Sequence, residues 1–129
     1  MFTLEQIKSA HAKVQSGADF PNYVQELIQL GVTHYEAFVS DGHTAYFGKD
    51  NYKITALAKY DSLTVAEKSN IDQFKIDLKA HQQGQTDYMT FCNDCAKSGV
   101  EKWLVCMEKM TCTYYDKDGK AMLTETIPD

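Results

Sequence analysis

The chain has 129 residues, of which 43% are hydrophobic and 24% charged, a composition typical of one globular domain with a hydrophobic core. Its net charge is −5 and all 13 of its Lys and Arg residues are lysines, so it lacks the arginine that proteins use most to read bases and phosphates. No apolar run approaches the ~20 residues of a membrane helix. These features exclude nucleic acid and membrane from the expected partners.

The start of the chain and its thiols indicate a cytoplasmic location. Residues 1–5 lack the basic region and apolar stretch of a secretory signal. Cytoplasmic thiols stay reduced, so the four cysteines are expected to be free thiols or metal ligands rather than disulfides.

The first half of the chain is predicted to form two helices and then three strands. Thr3 and Gln6 have the spacing of a capping box that begins the first helix, and Gly17 ends that helix. Asp19 can cap the second helix, and Gly31 suits a left-handed cap at its end. The hydrophobic period then changes to two, which predicts strands over 32–39, 44–47 and 52–55.

The second half is predicted to contain the same elements in the same order. A helix is predicted over 66–83 and is stopped by Gly84, and a second helix runs from a cap at Asp87 as far as Gly99. Strands follow over 100–107, 110–115 and 120–127, and the Asp118-Gly119 pair is typical of a hairpin turn.

The two halves align at one constant offset, the 68 residues that separate Gly31 from Gly99. The same offset aligns aromatic positions, because Tyr35 corresponds to Trp103 and Tyr46 to Tyr114. We therefore predict an α+β fold, in which a tandem duplication of a helix-helix-strand-strand-strand unit forms one compact domain with an antiparallel sheet. The single domain spans 1–129, with internal repeats over approximately 1–60 and 61–129.

The four cysteines allow more than one interpretation. Cys92 and Cys95 form a CxxC motif, and with Cys106 and Cys112 they could hold structural zinc or act as a redox pair. The repeat favours core packing, because the CxxC cysteines align with apolar residues of the first half and free cysteine is commonly a small buried hydrophobe. We therefore predict no metal and no cofactor, and the four-cysteine zinc site is the alternative.

Asp41 and His43 are the candidate ligand-binding residues. They lie in a predicted turn, where a carboxylate and an imidazole can form an acid–base or metal pair. The alternative is turn chemistry, since Asp and Gly are what a tight turn requires. His11 and His81 lie on helical faces near helix ends, where capping or packing explains them. No serine elbow, phosphate-binding glycine loop or dinucleotide fingerprint is present, so no catalytic residue is predicted.

The predicted strands also bear on function. Residues 103–107 are all apolar, and neighbouring strand residues point to opposite faces, so both faces of the sheet carry apolar groups. These apolar groups could be covered in three ways: by helices on both faces, by the two repeats facing each other, or by a second subunit. We expect a non-enzymatic protein-binding or regulatory module that acts in the cytoplasm on a host or phage protein, or that forms a homodimer. The alternative is a small ligand-binding protein or enzyme with a pocket at the interface of the two repeats. A fully packed interface, without a pocket, would count against this alternative.

The sequence also resembles a known family. The residues that carry the resemblance span nearly the whole chain, over 2–7, 16–21, 31–32, 40–44, 78–84, 94–100 and 110–116. Together they resemble the YdfO-like family of small bacterial proteins, many of them prophage-encoded. The resemblance implies an α+β single domain and a prophage origin, and it supplies no catalytic or binding residues. It also implies that Cys106 is often an aspartate in relatives, which argues against the four-cysteine zinc site.

Overall fold

The computed structural model describes residues 2–14 and 19–128, and within these ranges it contains four α-helices and six strands. The elements of the first repeat are α1 (Leu4–His11), α2 (Phe20–Leu30), β1 (Val32–Phe38), β2 (Thr44–Gly48) and β3 (Lys53–Ala56). Those of the second repeat are α3 (Ile71–Gln82), α4 (Tyr88–Lys97), β4 (Lys102–Cys106), β5 (Thr111–Tyr115) and β6 (Ala121–Thr126). The predicted α+β fold, with its antiparallel sheet, is confirmed.

Local signals place most helix starts where the sequence predicts them. Thr3 and Gln6 form the capping box, in which the Gln6 N–H donates to Thr3 Oγ1 at 3.2 Å and the Thr3 N–H donates to Gln6 Oε1 at 2.9 Å. Asp87 caps α4 by accepting the Thr90 N–H at 2.8 Å. Asp19 stands at the N-cap position of α2. The predicted end of α1 at Gly17 lies outside the described residues.

The start of α3 differs from the prediction, for a tertiary reason. The helix begins at Ile71 rather than at residue 66, because the Asn70 side chain caps it by accepting the Gln73 N–H at 3.1 Å. The segment before it bonds to the C-terminal end of α4 and does not form helical hydrogen bonds of its own. The Ala66 N–H donates to the Ala96 carbonyl at 2.8 Å, and the Asn70 N–H donates to the Ser98 carbonyl at 2.9 Å.

One antiparallel sheet runs through both repeats in the order β3-β2-β1-β4-β5-β6. The two central strands come from different repeats, and Glu36 on β1 pairs with Leu104 on β4. Leu104 is also the counterpart of Glu36 at the 68-residue offset, so a pseudo-twofold axis passes through this pair. The adjoining hairpins keep the symmetry, because Tyr35 pairs with Tyr46 and their counterparts Trp103 and Tyr114 pair with each other.

The helices lie on one face of the sheet. Tyr23 of α2 contacts Tyr35, Phe91 of α4 contacts Trp103, and Phe74 of α3 contacts Tyr114, with ring centroids 6.4, 5.8 and 4.8 Å apart. The strand residues in these contacts share one face by their pairing. The other face, which we call the open face, carries the half-buried side chains Phe38, Phe47, Leu104 and Tyr115. Of the three expected ways of covering the sheet, helices on both faces are therefore not observed among the described elements.

The two glycines at the ends of α2 and α4 in the left-handed conformation are equivalent in the two repeats but differ in how closely they are packed. Gly31 has φ +100° and a Cβ there would meet nothing within 4 Å, whereas at Gly99, with φ +86°, a Cβ would lie 2.8 Å from the Ser69 Cα. We expect Gly31→Ala to cost about 1–2 kcal/mol of unfolding free energy, the penalty of the left-handed conformation. Gly99→Ala should cost about 1 kcal/mol more, because backbone must also shift. Urea unfolding of the two variants measures the difference, and equal costs would contradict the close packing at Gly99.

Candidate functional site

The predicted pair Asp41 and His43 forms a hydrogen-bonded turn between β1 and β2. The His43 Nδ1–H donates to Asp41 Oδ1 at 2.6 Å, and the His43 backbone N–H donates to the same oxygen at 2.9 Å. The backbone hydrogen bond is the largest cause of a lowered pKa of the Asp41 carboxyl, followed by the side-chain one. The His43 ring stacks on Phe38 of the open face, with centroids 4.3 Å apart. The carboxylate and the imidazole are thus engaged with each other and with the turn.

The same turn holds the segment that joins the two repeats. The Asp41 carbonyl accepts the Lys59 N–H at 2.8 Å, and the Tyr60 hydroxyl donates to the Val39 carbonyl at 2.6 Å. Gly42 is in close contact with Tyr60, since a Cβ at residue 42 would lie 2.6 Å from Tyr60 Cε2. Asp41 therefore fixes where the chain passes over the helix-covered side of the sheet.

The structure does not bring the four cysteines together. Cys92 and Cys95 are fully buried on the inner side of α4, at positions equivalent to Val24 and Leu27. Cys106 lies on the open face and Cys112 on the opposite face, because β4 and β5 pair Cys106 with Thr111 and Val105 with Cys112. Over residues 2–14 and 19–128, no three His, Cys, Asp or Glu side chains are placed to hold a metal ion.

Burial also makes the inner thiols poor nucleophiles. It is the main cause of raised pKa values at Cys92 and Cys95, and it raises the pKa of Cys112 to about 12. A redox or metal-binding thiol requires the thiolate, which these environments disfavour at neutral pH. The CxxC motif therefore fits core packing.

A cavity of about 150 Å³ lies between the helices of the two repeats and the sheet. We call it the axial cavity, because its lining residues come from both repeats and include the aromatic pairs around the pseudo-twofold axis. Four aromatic strand residues contribute to its wall, namely Tyr35, Tyr46, Trp103 and Tyr114. The interface between the repeats is therefore not fully packed.

Each repeat supplies a matching chain of aromatic rings to this wall. In the first repeat Tyr35 contacts Tyr23 and Tyr46, with centroids 6.4 and 5.4 Å apart. In the second, Trp103 contacts the counterparts of these two residues, Phe91 and Tyr114, at 5.8 and 6.1 Å. Small strand residues (Ala37, Thr44 and Cys112) also line the cavity and leave the central space open. The duplication thus places aromatic surface on both sides of one space.

Hydroxyl groups make this aromatic wall polar at several points. Burial raises the pKa of Tyr23, Tyr35, Tyr88 and Tyr114 well above the usual range, so these phenols remain protonated and can donate hydrogen bonds. A direct interaction between the Tyr23 and Tyr46 hydroxyls also raises the pKa of Tyr23. The cavity therefore combines apolar ring surface with several hydroxyl groups.

Two histidines contribute to the lining in equivalent places. His11 packs edge-on against Tyr23 with centroids 5.3 Å apart, and His81 stacks on Phe91, the counterpart of Tyr23, at 4.3 Å. The His81 Nδ1–H donates to the Thr86 carbonyl at 3.2 Å, which leaves Nε2 of the neutral ring as an acceptor. Burial lowers the pKa of both imidazoles, and the positive charge of Lys59 lowers that of His11 further.

Lys59 brings a positive charge to the rim of the cavity. The residue is partly exposed at the rim, and its ammonium lies 5.7 Å from the centre of the Tyr88 ring, where partial burial lowers the pKa of the lysine. Within the described residues Lys59 takes part in no ion pair. The rim is therefore a place where an anion would be favoured.

Sequence reasoning missed the residues of this cavity. It assigned His11 and His81 to capping or packing, and it did not consider Lys59. The signal that could have found the site is the repeat itself, because aromatic residues align in both copies at Tyr35 and Trp103, on the inner face of the two central strands. Aromatic side chains from both halves at one axis indicate a site shared by the two repeats.

Comparison with known proteins gives one family. Residues 8–126 match the family model described as "Protein of unknown function (DUF1398)". No curated protein matches the chain. In the described part of the chain, no helix is both long and apolar enough to cross a membrane.

The two lining histidines should make stability depend on pH. Because their folded-state pKa values lie below the ordinary histidine value of about 6.5, the unfolded chain binds more protons as the pH falls through this region. The unfolding free energy should therefore be highest above pH 6.5 and should decrease as the pH falls from 6.5 toward the lowered values.

Urea unfolding as a function of pH measures this dependence. A variant carrying His11→Gln and His81→Gln should show a flatter profile in the same window. An unchanged slope in that variant would contradict burial of the two imidazoles in their neutral form.

Proposed function

We propose that this chain, which belongs to the family described as Protein of unknown function (DUF1398), binds a small molecule in the axial cavity. The observation that carries the proposal is the cavity of about 150 Å³ at the interface of the two repeats, which is lined by aromatic rings and by residues that carry hydroxyl and imidazole groups. Ligand sites are usually concave, mostly apolar and lined by a few well-placed polar groups. Of the functions expected from the sequence, this was the alternative.

The proposal does not extend to catalysis. A general acid or base must reach the reacting atom with a suitable pKa, and a nucleophile needs an adjacent base. The buried thiols and phenols of the cavity have raised pKa values, so at neutral pH they are protonated and act as donors rather than nucleophiles. These groups therefore support the binding of a small molecule, which would change how the chain interacts with other proteins.

We further propose the setting implied by the sequence. All four cysteines are free, and three of them lie in the core, an arrangement suited to a reducing compartment such as the cytoplasm. The resemblance to the YdfO-like family supports a prophage origin. A regulatory module of this kind would couple a small ligand to a host or phage protein.

Filling the cavity tests the proposed function. Ala37 is a buried lining residue, and Ala37→Leu should occupy part of the space, changing the unfolding free energy by no more than about 2 kcal/mol. Ala121→Leu makes the same chemical change on the exposed part of β6 and is the matched control.

The measurement is a thermal-shift and ligand-observed NMR screen with single-ring aromatic fragments, neutral and charged. Hits should bind the wild type and Ala121→Leu alike and lose at least about tenfold in affinity with Ala37→Leu, because the bound ring and the leucine compete for one space. The absence of any hit, or hits that Ala37→Leu leaves unchanged, would contradict the proposal.

A second candidate function is favoured by the open face of the sheet. Phe38, Leu104 and Tyr115 lie there around the Glu36–Lys102 ion pair, whose atoms are 2.6 Å apart. We propose that this face binds a second copy of the chain, because acid and lysine lie side by side near the pseudo-twofold axis. A copy turned by 180° would place each carboxylate near the other copy's ammonium, beside apolar side chains.

Analytical ultracentrifugation at high micromolar concentration tests the dimer. Leu104→Lys should convert a dimer to a monomer by placing a charge in the apolar contact. Leu57→Lys, which changes a leucine that is 84% exposed and outside the open face, should leave the dimer intact. A monomeric wild type would overturn the self-association and leave the proposal for the cavity untouched.

A further inference from the structure

The axial cavity has room for one ring. Its volume is about 150 Å³, and an apolar cavity of about this size in another protein admits benzene. Two of its walls are ring surfaces, since Tyr35 and Trp103 line it from opposite repeats. Aromatic rings pack favourably against one another in edge-to-face and offset arrangements, which favours a flat aromatic ligand over a branched aliphatic one.

The charge around the cavity selects the substituent on that ring. Among the lining residues in the described ranges, the charged or chargeable groups outside the phenols and the thiol are Lys59, His11 and His81, all of them bases. Carboxylates occur in the neighbouring groove, where Glu26 is bound to Lys13 at 2.7 Å and Asp19 has interactions of its own. The cavity itself therefore offers a positive charge that none of its own residues neutralises.

The hydroxyl groups reinforce the same preference. The Tyr88 ring lies beside Lys59 at the mouth and the Tyr23 ring lies beside His11, so two tyrosines, which carry phenolic donors, flank the basic groups. A carboxylate accepts hydrogen bonds on two oxygens and is satisfied by such donors together with an ammonium. A phosphate would be served less well, since the rim has one lysine and the chain has no arginine.

We infer that the ligand is a single-ring aromatic carboxylate, bound with its ring between Tyr35 and Trp103 and its carboxylate toward Lys59. The inference rests on the proposed function, because it names the class of molecule that the axial cavity takes. It also fixes the orientation of the ligand. The linker that carries Lys59 crosses one side of the pseudo-twofold axis, so the carboxylate points to that side.

Trp103 provides the readout, because it is the single tryptophan of the chain and lines the cavity. Titration of its fluorescence with benzoate should give a dissociation constant of about 1 mM or below, which a ligand of this size can reach. Benzamide has the same shape without the charge, and it should bind at least about fivefold more weakly. Cyclohexanecarboxylate keeps the charge without the aromatic ring and should also bind more weakly than benzoate.

The outcomes separate the inference from the proposed function. If benzamide or other neutral rings bind as well as benzoate, the preference for a carboxylate is overturned while ligand binding in the cavity stands. If no single-ring compound changes Trp103 fluorescence or the NMR signals of the fragments, the proposed function fails and the inference fails with it.

A charge-removing variant tests the role of the lysine directly. Lys59→Gln should lower the affinity for benzoate at least about fivefold and leave that for benzamide unchanged, because only the anion interacts with the ammonium. Lys109→Gln, in the exposed turn between β4 and β5, removes the same charge away from the cavity and should change neither affinity. Equal losses for both ligands with Lys59→Gln would show a structural role for the lysine and overturn the inference.

Discussion

The pairing of β1 with β4 is the constraint on which the rest of the structure depends. It joins two three-stranded sheets into one, and it does so with Glu36 opposite its own counterpart Leu104, so that the two repeats are related by a twofold rotation. A shift of one residue in this pairing would turn Tyr35 and Trp103 to opposite faces of the sheet and disrupt the hydrophobic core that they share. Register, core and cavity are therefore set by the same hydrogen-bond ladder.

The twofold arrangement also explains why a cavity forms at the centre. Each repeat packs its second helix on its own hairpin through a ring contact, Tyr23 on Tyr35 and Phe91 on Trp103. The rings of both repeats then line one cavity at the axis. Small side chains near that axis, such as Ala37, do not fill the remaining space. A duplicated unit thus creates at its symmetry axis a space that neither copy lines alone.

Sequence patterns predicted the features that depend on neighbouring residues. The capping box at Thr3 and the cap at Asp87 are local, and both form as predicted. The predicted start of α3 was wrong, because Ala66 donates a hydrogen bond to Ala96 of α4. The hydrophobic periodicity of the sequence does not reveal such a long-range contact. The cavity was predicted only as a location between the repeats. Its residues could not be named, because they depend on the helices lying on one face of the sheet and on the path of the linker.

The linker between the repeats breaks the twofold symmetry of the cavity, because it places a charged residue on one side only. Lys59 lies in the segment that joins the repeats, and its position at the rim depends on the Asp41 carbonyl, which accepts its N–H. Its counterpart at the 68-residue offset is Ile127, which is buried in the core, so the two sides of the cavity differ in charge. A symmetric aromatic space with one cation at one side favours a ligand with an apolar body and one anionic end. Asp41, which the sequence predicted as a ligand-binding residue together with His43, accepts the Lys59 N–H and in this way supports the proposed binding site.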